Sequence, residues 1–215
     1  MSTNTKSSAP RVLVLASQKG GAGKTTLAAA LAVEAERVGD GPAVLLDLDP
    51  QGSLADWANS RQAETPAFAI AQSAALAQQI EALGQAGMRL VIIDTPPSLS
   101  EPIRQAVAVA DVVLIPTRPS PLDLRAVGGT VDIAEAAGKR PVFVINGAAY
   151  RARLSAQAAI ALSQHGAVAP GIVHQRTDYA ASMIDGRTAP EVRPTHKSAA
   201  EIEALYAYVR AGLFN

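Results

Sequence analysis

Gln18-Lys19-Gly20-Gly21-Ala22-Gly23-Lys24-Thr25-Thr26 follows the apolar run Val12-Leu13-Val14-Leu15 and precedes an Ala/Leu-rich run from Leu27 to Val33. Strand, glycine loop and helix in that order make a cradle for a polyphosphate. The glycines let backbone N–H groups turn inward, and the helix N-terminus adds a positive dipole end. Gly20, Gly21, Ala22, Gly23, Lys24, Thr25 and Thr26 are the candidate phosphate contacts, with Lys24 reaching the β- and γ-phosphates and the Thr25 hydroxyl placed for Mg²⁺. The usual pattern, G-x-x-x-x-G-K-[ST], asks for glycine where this chain has Gln18, and a second lysine, Lys19, opens the loop.

Two more apolar runs end in carboxylates. Ala43-Val44-Leu45-Leu46 delivers Asp47-Leu48-Asp49-Pro50-Gln51, and Leu90-Val91-Ile92-Ile93 delivers Asp94-Thr95-Pro96-Pro97-Ser98. Alternation along a strand puts Asp47 and Asp49 on one side. Carboxylates at the carboxyl edge of parallel strands, beside a phosphate loop, suit Mg²⁺ binding and orientation of an attacking water, with Asp94 as the group that holds the metal and Asp47 as an outer metal group. The prolines after Asp94 stiffen a turn where a segment responding to the γ-phosphate would lie.

Lys19-Gly20-Gly21-x-Gly23-Lys24-Thr25-Thr26, Asp47-x-Asp49-Pro50-Gln51 and Asp94-x-Pro96-Pro97-Ser98 together resemble the deviant Walker A ATPases of the ParA/MinD family. Pro116-Thr117-Arg118-Pro119-Ser120-Pro121 and the compact length look like the small partition ATPases typified by ParF. The resemblance implies ATP and Mg²⁺ as ligands, Lys24 as the lysine for its own nucleotide, and Lys19 as the lysine that crosses to a partner's, so that ATP is sandwiched in a homodimer. It also implies that Asp49 positions the hydrolytic water, and that hydrolysis is weak until an adaptor or ParB-like protein stimulates it, which an arginine finger would do. Asn146, at the end of the strand Val142 to Ile145, is where an adenine would be read.

The rest of the chain alternates strand and helix signals, with strands expected at Arg11–Ser17, Phe68–Ala71, Val112–Pro116 and Val168–Val173 and a closing helix from Ser198 to about Leu213. That pattern predicts an α/β, doubly wound, mostly parallel sheet with helices on both faces. At 215 residues the chain suits one such domain over 11–215, and the polar Met1–Pro10 reads as a disordered tail. Cysteine is absent, which excludes disulfides and cysteine-ligated iron–sulfur clusters. No apolar run approaches a membrane span, no integral membrane contact is expected, and a cytoplasmic, nucleoid-associated protein is the default.

Net charge is zero but unevenly spread. Between Lys139 and Lys197, Lys139, Arg140, Arg151, Arg153, Arg176, Arg187, Arg193 and Lys197 face only Asp178, Asp185 and Glu191, so this segment is +5 and the remainder −5. Such asymmetry fits a local anion-binding face, and Arg187, Arg193 and Lys197 are the candidates for nonspecific DNA contact. No helix-turn-helix extension precedes Arg11, so operator reading is not expected. The competing surface, membrane, needs a terminal amphipathic helix with a basic face. Ile202, Leu205, Tyr206 and Val209 do form a stripe, but Glu201 and Glu203 flank it and Arg210 is its one basic neighbour, so core packing is the expectation. A ParA-like positioning ATPase is therefore the leading reading. A MinD-like membrane regulator, an ATP-dependent ligase and a nonenzymatic scaffold are the alternatives, and the cargo is not encoded in any of these motifs.

Overall fold

The computed structural model describes residues 9–149 and 153–214. Its strands are β1 Arg11–Leu15, β2 Ala43–Asp47, β3 Ala67–Ile70, β4 Leu90–Asp94, β5 Val112–Thr117, β6 Pro141–Ala148 and β7 Ala167–His174. Its helices are α1 Lys24–Arg37, α2 Ser53–Ser60, α3 Leu76–Gln85, α4 Glu101–Val109, α5 Pro121–Ala126, α6 Gly128–Ala136, α7 Arg153–Leu162, α8 Thr177–Ser182, α9 Ala189–Val192 and α10 Lys197–Phe214. All seven strands lie in one sheet, in the order β3-β2-β4-β1-β5-β6-β7, and every pairing is parallel.

Parallel strands are covered on both faces, which is why β1, β2 and β4 read as unbroken apolar runs. Leu13 and Leu15 point to a layer that includes Leu27 and Leu31 of α1, Trp57 of α2 and Tyr206 of α10. Val12 and Val14 point to the opposite layer, with Ile80 of α3, Ile103 of α4, Val131 of α6 and Leu162 of α7. α1 packs against both the sheet and α10, so its run Ala28-Ala29-Ala30 is buried all round. Small side chains permit that close approach. The stripe Ile202, Leu205, Tyr206 and Val209 belongs to this core, as expected.

Strand order reverses at β1, which lies between β4 and β5. Ligand crevices in open α/β sheets form at that switch, outside the carboxyl ends of the strands. The glycine loop leaves β1 there. Registers Leu15↔Asp94 and Asp47↔Asp94 bring the two carboxylate strand ends to the same edge.

Several boundaries differ from the sequence reading. β1 stops at Leu15, and Pro10, assigned to the tail, is buried against Gly84 of α3. The rest of that tail, residues 1–8, and Arg151 of the basic segment lie outside the described residues. Within the proline-rich stretch 116–121 the strand and helix nearly meet: β5 runs through Thr117, Pro121 already begins α5 as a first-turn proline, and α6 follows directly. β6 extends to Ala148, with register shifts against β7 around Asn146 that relax its pairing near the ligand edge.

Candidate phosphate-binding site

The loop between β1 and α1 is built for close backbone approach. Gly23 caps α1 at φ 95°, and a Cβ there would lie 2.2 Å from the Asn146 Nδ2. Asn146 in turn donates from Nδ2 to the Ala22 carbonyl at 2.6 Å. A strand-end side chain thus ties β6 to the loop. Gly21 also has positive φ, at 71°. On the other flank, the Gln18 N–H donates to Thr130 Oγ1 of α6 at 3.2 Å.

Lys24 enters α1 buried, at 7% exposure. Burial pulls its ammonium below the usual lysine value, and Asp94 and then Asp49 pull it back up. Thr25 Oγ1 donates to Asp94 Oδ2 at 2.5 Å. Asp94 is 1% exposed, and its second oxygen, Oδ1, has no hydrogen-bond partner among the described residues. Burial pushes this carboxyl up to about 7 against the pull of Thr25 and Lys24, with Asp47 and Asp49 adding to the rise. A buried carboxylate oxygen with no donor is expensive to leave so, and a hydrated divalent cation satisfies it. The pair Thr25 and Asp94 therefore fits Mg²⁺. Thr95, next in chain, ties β4 to β1 by donating to the Leu15 carbonyl at 2.8 Å.

Asp47 and Asp49 divide their work. Asp47 accepts from the Asp49 N–H at 2.8 Å and from the Ala55 N–H at 3.3 Å, so its carboxylate braces the turn into α2. Burial raises its pKa, while those backbone donors lower it. Each of its oxygens already accepts a backbone N–H, which suits support of a metal from the outer sphere. Asp49 is half-buried and accepts from Gln51 N at 3.0 Å. Its place on a braced turn facing Lys24 suits a group that orients a water.

Lys19 sits at the mouth, 40% exposed, with Nζ 3.6 Å from Asp123 Oδ2. Asp123 stands in the first turn of α5 and is hydrogen-bonded by the Ser120 hydroxyl, while its own N–H donates back to Ser120 Oγ. The sequence reading passed over Asp123, Thr95 and Thr130. Ser120-x-x-Asp123 is a helix-start signature that marks the first of them; the other two carry no local signal.

The DNA candidates are placed apart from the loop and from each other's chemistry. Arg187 is bidentate with Asp185, at 2.9 and 2.6 Å, and Arg193 faces Asp178 at 3.7 Å while 60% exposed. Lys197 opens α10. Arg176 is held by Glu201, and Lys139 donates to the Ala110 carbonyl at 2.6 Å. Of these carboxylate partners only Glu201 comes from outside the basic segment; Asp178 and Asp185 are already counted within it.

A doubly wound parallel sheet with a glycine loop after β1, a buried loop lysine, and a threonine–aspartate pair at the adjoining strand end defines a P-loop nucleotide-binding domain. Residues 13–189 match the CobQ/CobB/MinD/ParA nucleotide binding domain, and the chain belongs to that family. Over 201 residues, 88% of this chain and 91% of the relative, it is 30% identical to a maintenance of carboxysome distribution protein A from Halothiobacillus neapolitanus. A protein of the same name from Gloeobacter kilaueensis is 43% identical over 132 residues, a match spanning 58% of this chain and little more than half, 57%, of the relative. Among solved structures, the septum site-determining protein MinD complexed with Mg-ADP from Pyrococcus horikoshii superposes with a TM-score of 0.76 at 16% identity, over 93% of this chain and 96% of that one. At that identity the superposition bears on fold.

Proposed function

We propose that this chain is an ATPase that positions cargo by switching, with ATP, between a monomer and a dimer that holds nonspecific DNA. The observation that carries the reading is the paired environment of Lys24 and Asp94: a buried cation of depressed pKa beside a carboxylate oxygen that lacks a donor, at the mouth of a glycine loop. Mg-ATP meets both needs at once.

In this reading the loop N–H groups and Lys24 bind the phosphates, Thr25 and Asp94 hold Mg²⁺, Asp47 supports from the outer sphere, and Asp49 orients the attacking water. Bound Mg²⁺ supplies charge neutralisation at the β- and γ-phosphates. Lys19 is the cation for a partner's nucleotide, supported by its exposure and by its single, long ion pair to Asp123. Asn146 sets the loop's height and lies on the side where the base would be read. Hydrolysis is slow alone and rises when an adaptor docks. The two relatives named for carboxysome distribution favour a protein-cluster cargo over a plasmid.

DNA is favoured over membrane as the surface because the α10 stripe is buried in the core and no helix among the described residues is long and apolar enough to cross a membrane. Arg187, Arg193 and Lys197 are the proposed DNA contacts. If each protomer meets ~3 phosphates, dimerisation steepens the salt dependence from a slope of roughly −3 to −5, so affinity rises by orders of magnitude. The test is binding to random-sequence duplex at fixed salt with ATP, ADP or no nucleotide, for wild type and Lys19→Ala. ATP-dependent binding that the variant loses supports the reading; no binding in any state removes DNA from it, and ATP-dependent dimers of Lys19→Ala remove the crossing lysine.

A further inference from the structure

We propose that Arg118 is a third phosphate-binding cation of the site, acting on the nucleotide held by its own protomer's loop; this rests on the ATP-binding reading above. Arg118 directly follows β5, the strand beside β1 on the far side from Asp94. Its main chain is fixed on a short path: Ser120 N–H donates to the Arg118 carbonyl at 2.8 Å, Pro119 intervenes, and Pro121 starts α5. The side chain runs across two glycines. A Cβ on Gly147, the residue after Asn146, would lie 3.5 Å from Arg118 Nε and 3.6 Å from Cγ, and a Cβ on Gly21 would lie 3.9 Å from Nη2. Both glycines have positive φ, 64° and 71°. The guanidinium therefore lies against the first half of the glycine loop, in a channel that side chains there would crowd.

Arg118 has no carboxylate among the described residues to answer its charge, in contrast to several other cations. Lys19 has Asp123, Arg61 has Glu191, Arg176 has Glu201 and Arg187 has Asp185. Among the described residues the Arg118 guanidinium makes no hydrogen bond and no ion pair, although it is exposed and its arginine fork carries five donors. It lies instead against Gly21, on the loop that carries Lys19 and Lys24 and leads into the positive end of α1, an arrangement that is repulsive until an anion arrives. A polyphosphate on the loop converts that repulsion into attraction, and the planar fork matches two phosphate oxygens. The tight proline-bounded connection keeps the entropic loss on binding small.

The test measures Mg-ATP and Mg-ADP affinity by calorimetry at two salt concentrations for wild type, Arg118→Ala, Arg118→Lys and Lys24→Ala, with unliganded melting temperatures alongside. Arg118→Ala should weaken both nucleotides by at least about tenfold, flatten the salt dependence of binding, and leave the unliganded melting temperature unchanged; Arg118→Lys should recover part of the loss. Wild-type affinity in Arg118→Ala, with binding lost in Lys24→Ala, overturns the inference and leaves the ATP-binding reading standing. A loss in Arg118→Ala that is the same at both salt concentrations makes the contact stacking on the base and also overturns it. Wild type that binds neither nucleotide overturns the reading beneath.

Discussion

The two ends of the sheet's ligand edge are built on opposite plans. Around β1 and β4, Lys24, Asp94 and Arg118 are charges without full partners: one oxygen of Asp94 is orphaned and Lys24 is depressed by burial. Around α8 to α10 each charge is closed by another. Glu201 accepts from Arg176, the Tyr179 hydroxyl and His174, and Arg61 is held by Glu191 and by the carbonyls of Thr65 and Gly186 while stacked over Trp57. Unmet polar demand marks the place where a ligand completes the structure, and a closed network marks the scaffold that holds it. Mutations at the first end should therefore damage binding and spare the fold, and mutations at the second should do the reverse.

The sharpest break comes at Lys24. Lys24→Ala removes the buried cation and its charge-assisted contacts, so Mg-ATP affinity measured by calorimetry should fall by at least about a hundredfold. The unliganded protein should melt no lower than wild type, since burial already disfavours this ammonium. A large drop in unliganded stability would place Lys24 with the scaffold instead.

Arg61 tests the other end. Its side chain is 7% exposed and bridges α2 to the 186–191 segment, whose Arg187 carbonyl also accepts from Trp57 Nε1 at 2.9 Å. Arg61→Ala leaves Glu191 Oε1 and the Gly186 carbonyl without the donors Arg61 supplies, while Glu191 Oε2 keeps those of Thr188, and should cost about 3 kcal/mol in urea unfolding. ATP affinity should stay within about twofold of wild type. Because α2 follows directly from Asp49, a large change in hydrolysis with unchanged affinity would reveal that the clamp also sets the water-orienting turn.

Asp94→Asn sets function against stability within one residue. At pH 8 the amide relieves a buried charge whose Oδ1 has no donor, and the unliganded protein should gain about 1 kcal/mol. Mg²⁺-dependent hydrolysis should fall to background in the same preparation. Loss of unliganded stability would mean that the Thr25 hydrogen bond outweighs the burial of the charge.

These contrasts also explain what was legible in the sequence. The phosphate loop, Asp49 and Asp94 were readable because each is a local event, an apolar strand ending in a fixed short motif, and parallel pairing then sets them side by side. The helical stripe of α10 was readable by its period. Arg61 carried no signal, because its partners Gly186 and Glu191 lie 125 and 130 residues away. Asn146 was expected where a base would be read; its donation to the Ala22 carbonyl was not legible, because it depends on β6 extending past it with a shifted register. Asp47 was read as an outer metal group from its place at a strand end; that it also accepts from the backbone N–H groups of Asp49 and Ala55 was not legible, because those bonds depend on the turn into α2. The basic segment was read from net charge, which counts Asp178 and Asp185 but not Glu201, whose carboxylate closes on Arg176 from α10.

The smallest effect is expected far from either end, where Asp40 fastens α10 to the turn after α1. Arg210 donates to Asp40 from Nη2 at 2.9 Å and Nε at 2.5 Å, and the Tyr206 hydroxyl donates at 3.0 Å. The Arg210 hydrogen bond, outweighing burial, holds the Asp40 carboxyl below the ordinary aspartate value, with Tyr206 adding to the same direction. A carboxyl whose folded pKa is depressed contributes stability that is present above the unfolded value, about 3.9, and is lost as pH falls through the folded one. Arg210 is half exposed, so water screens the pair, and Asp40→Asn should cost only about 1 kcal/mol at pH 7. Urea midpoints of wild type and Asp40→Asn should stay separated down to about pH 4 and converge below it. A gap that persists undiminished into stronger acid would show that the contribution of Asp40 does not come from its charge, and would remove the ion pair with Arg210 from the account.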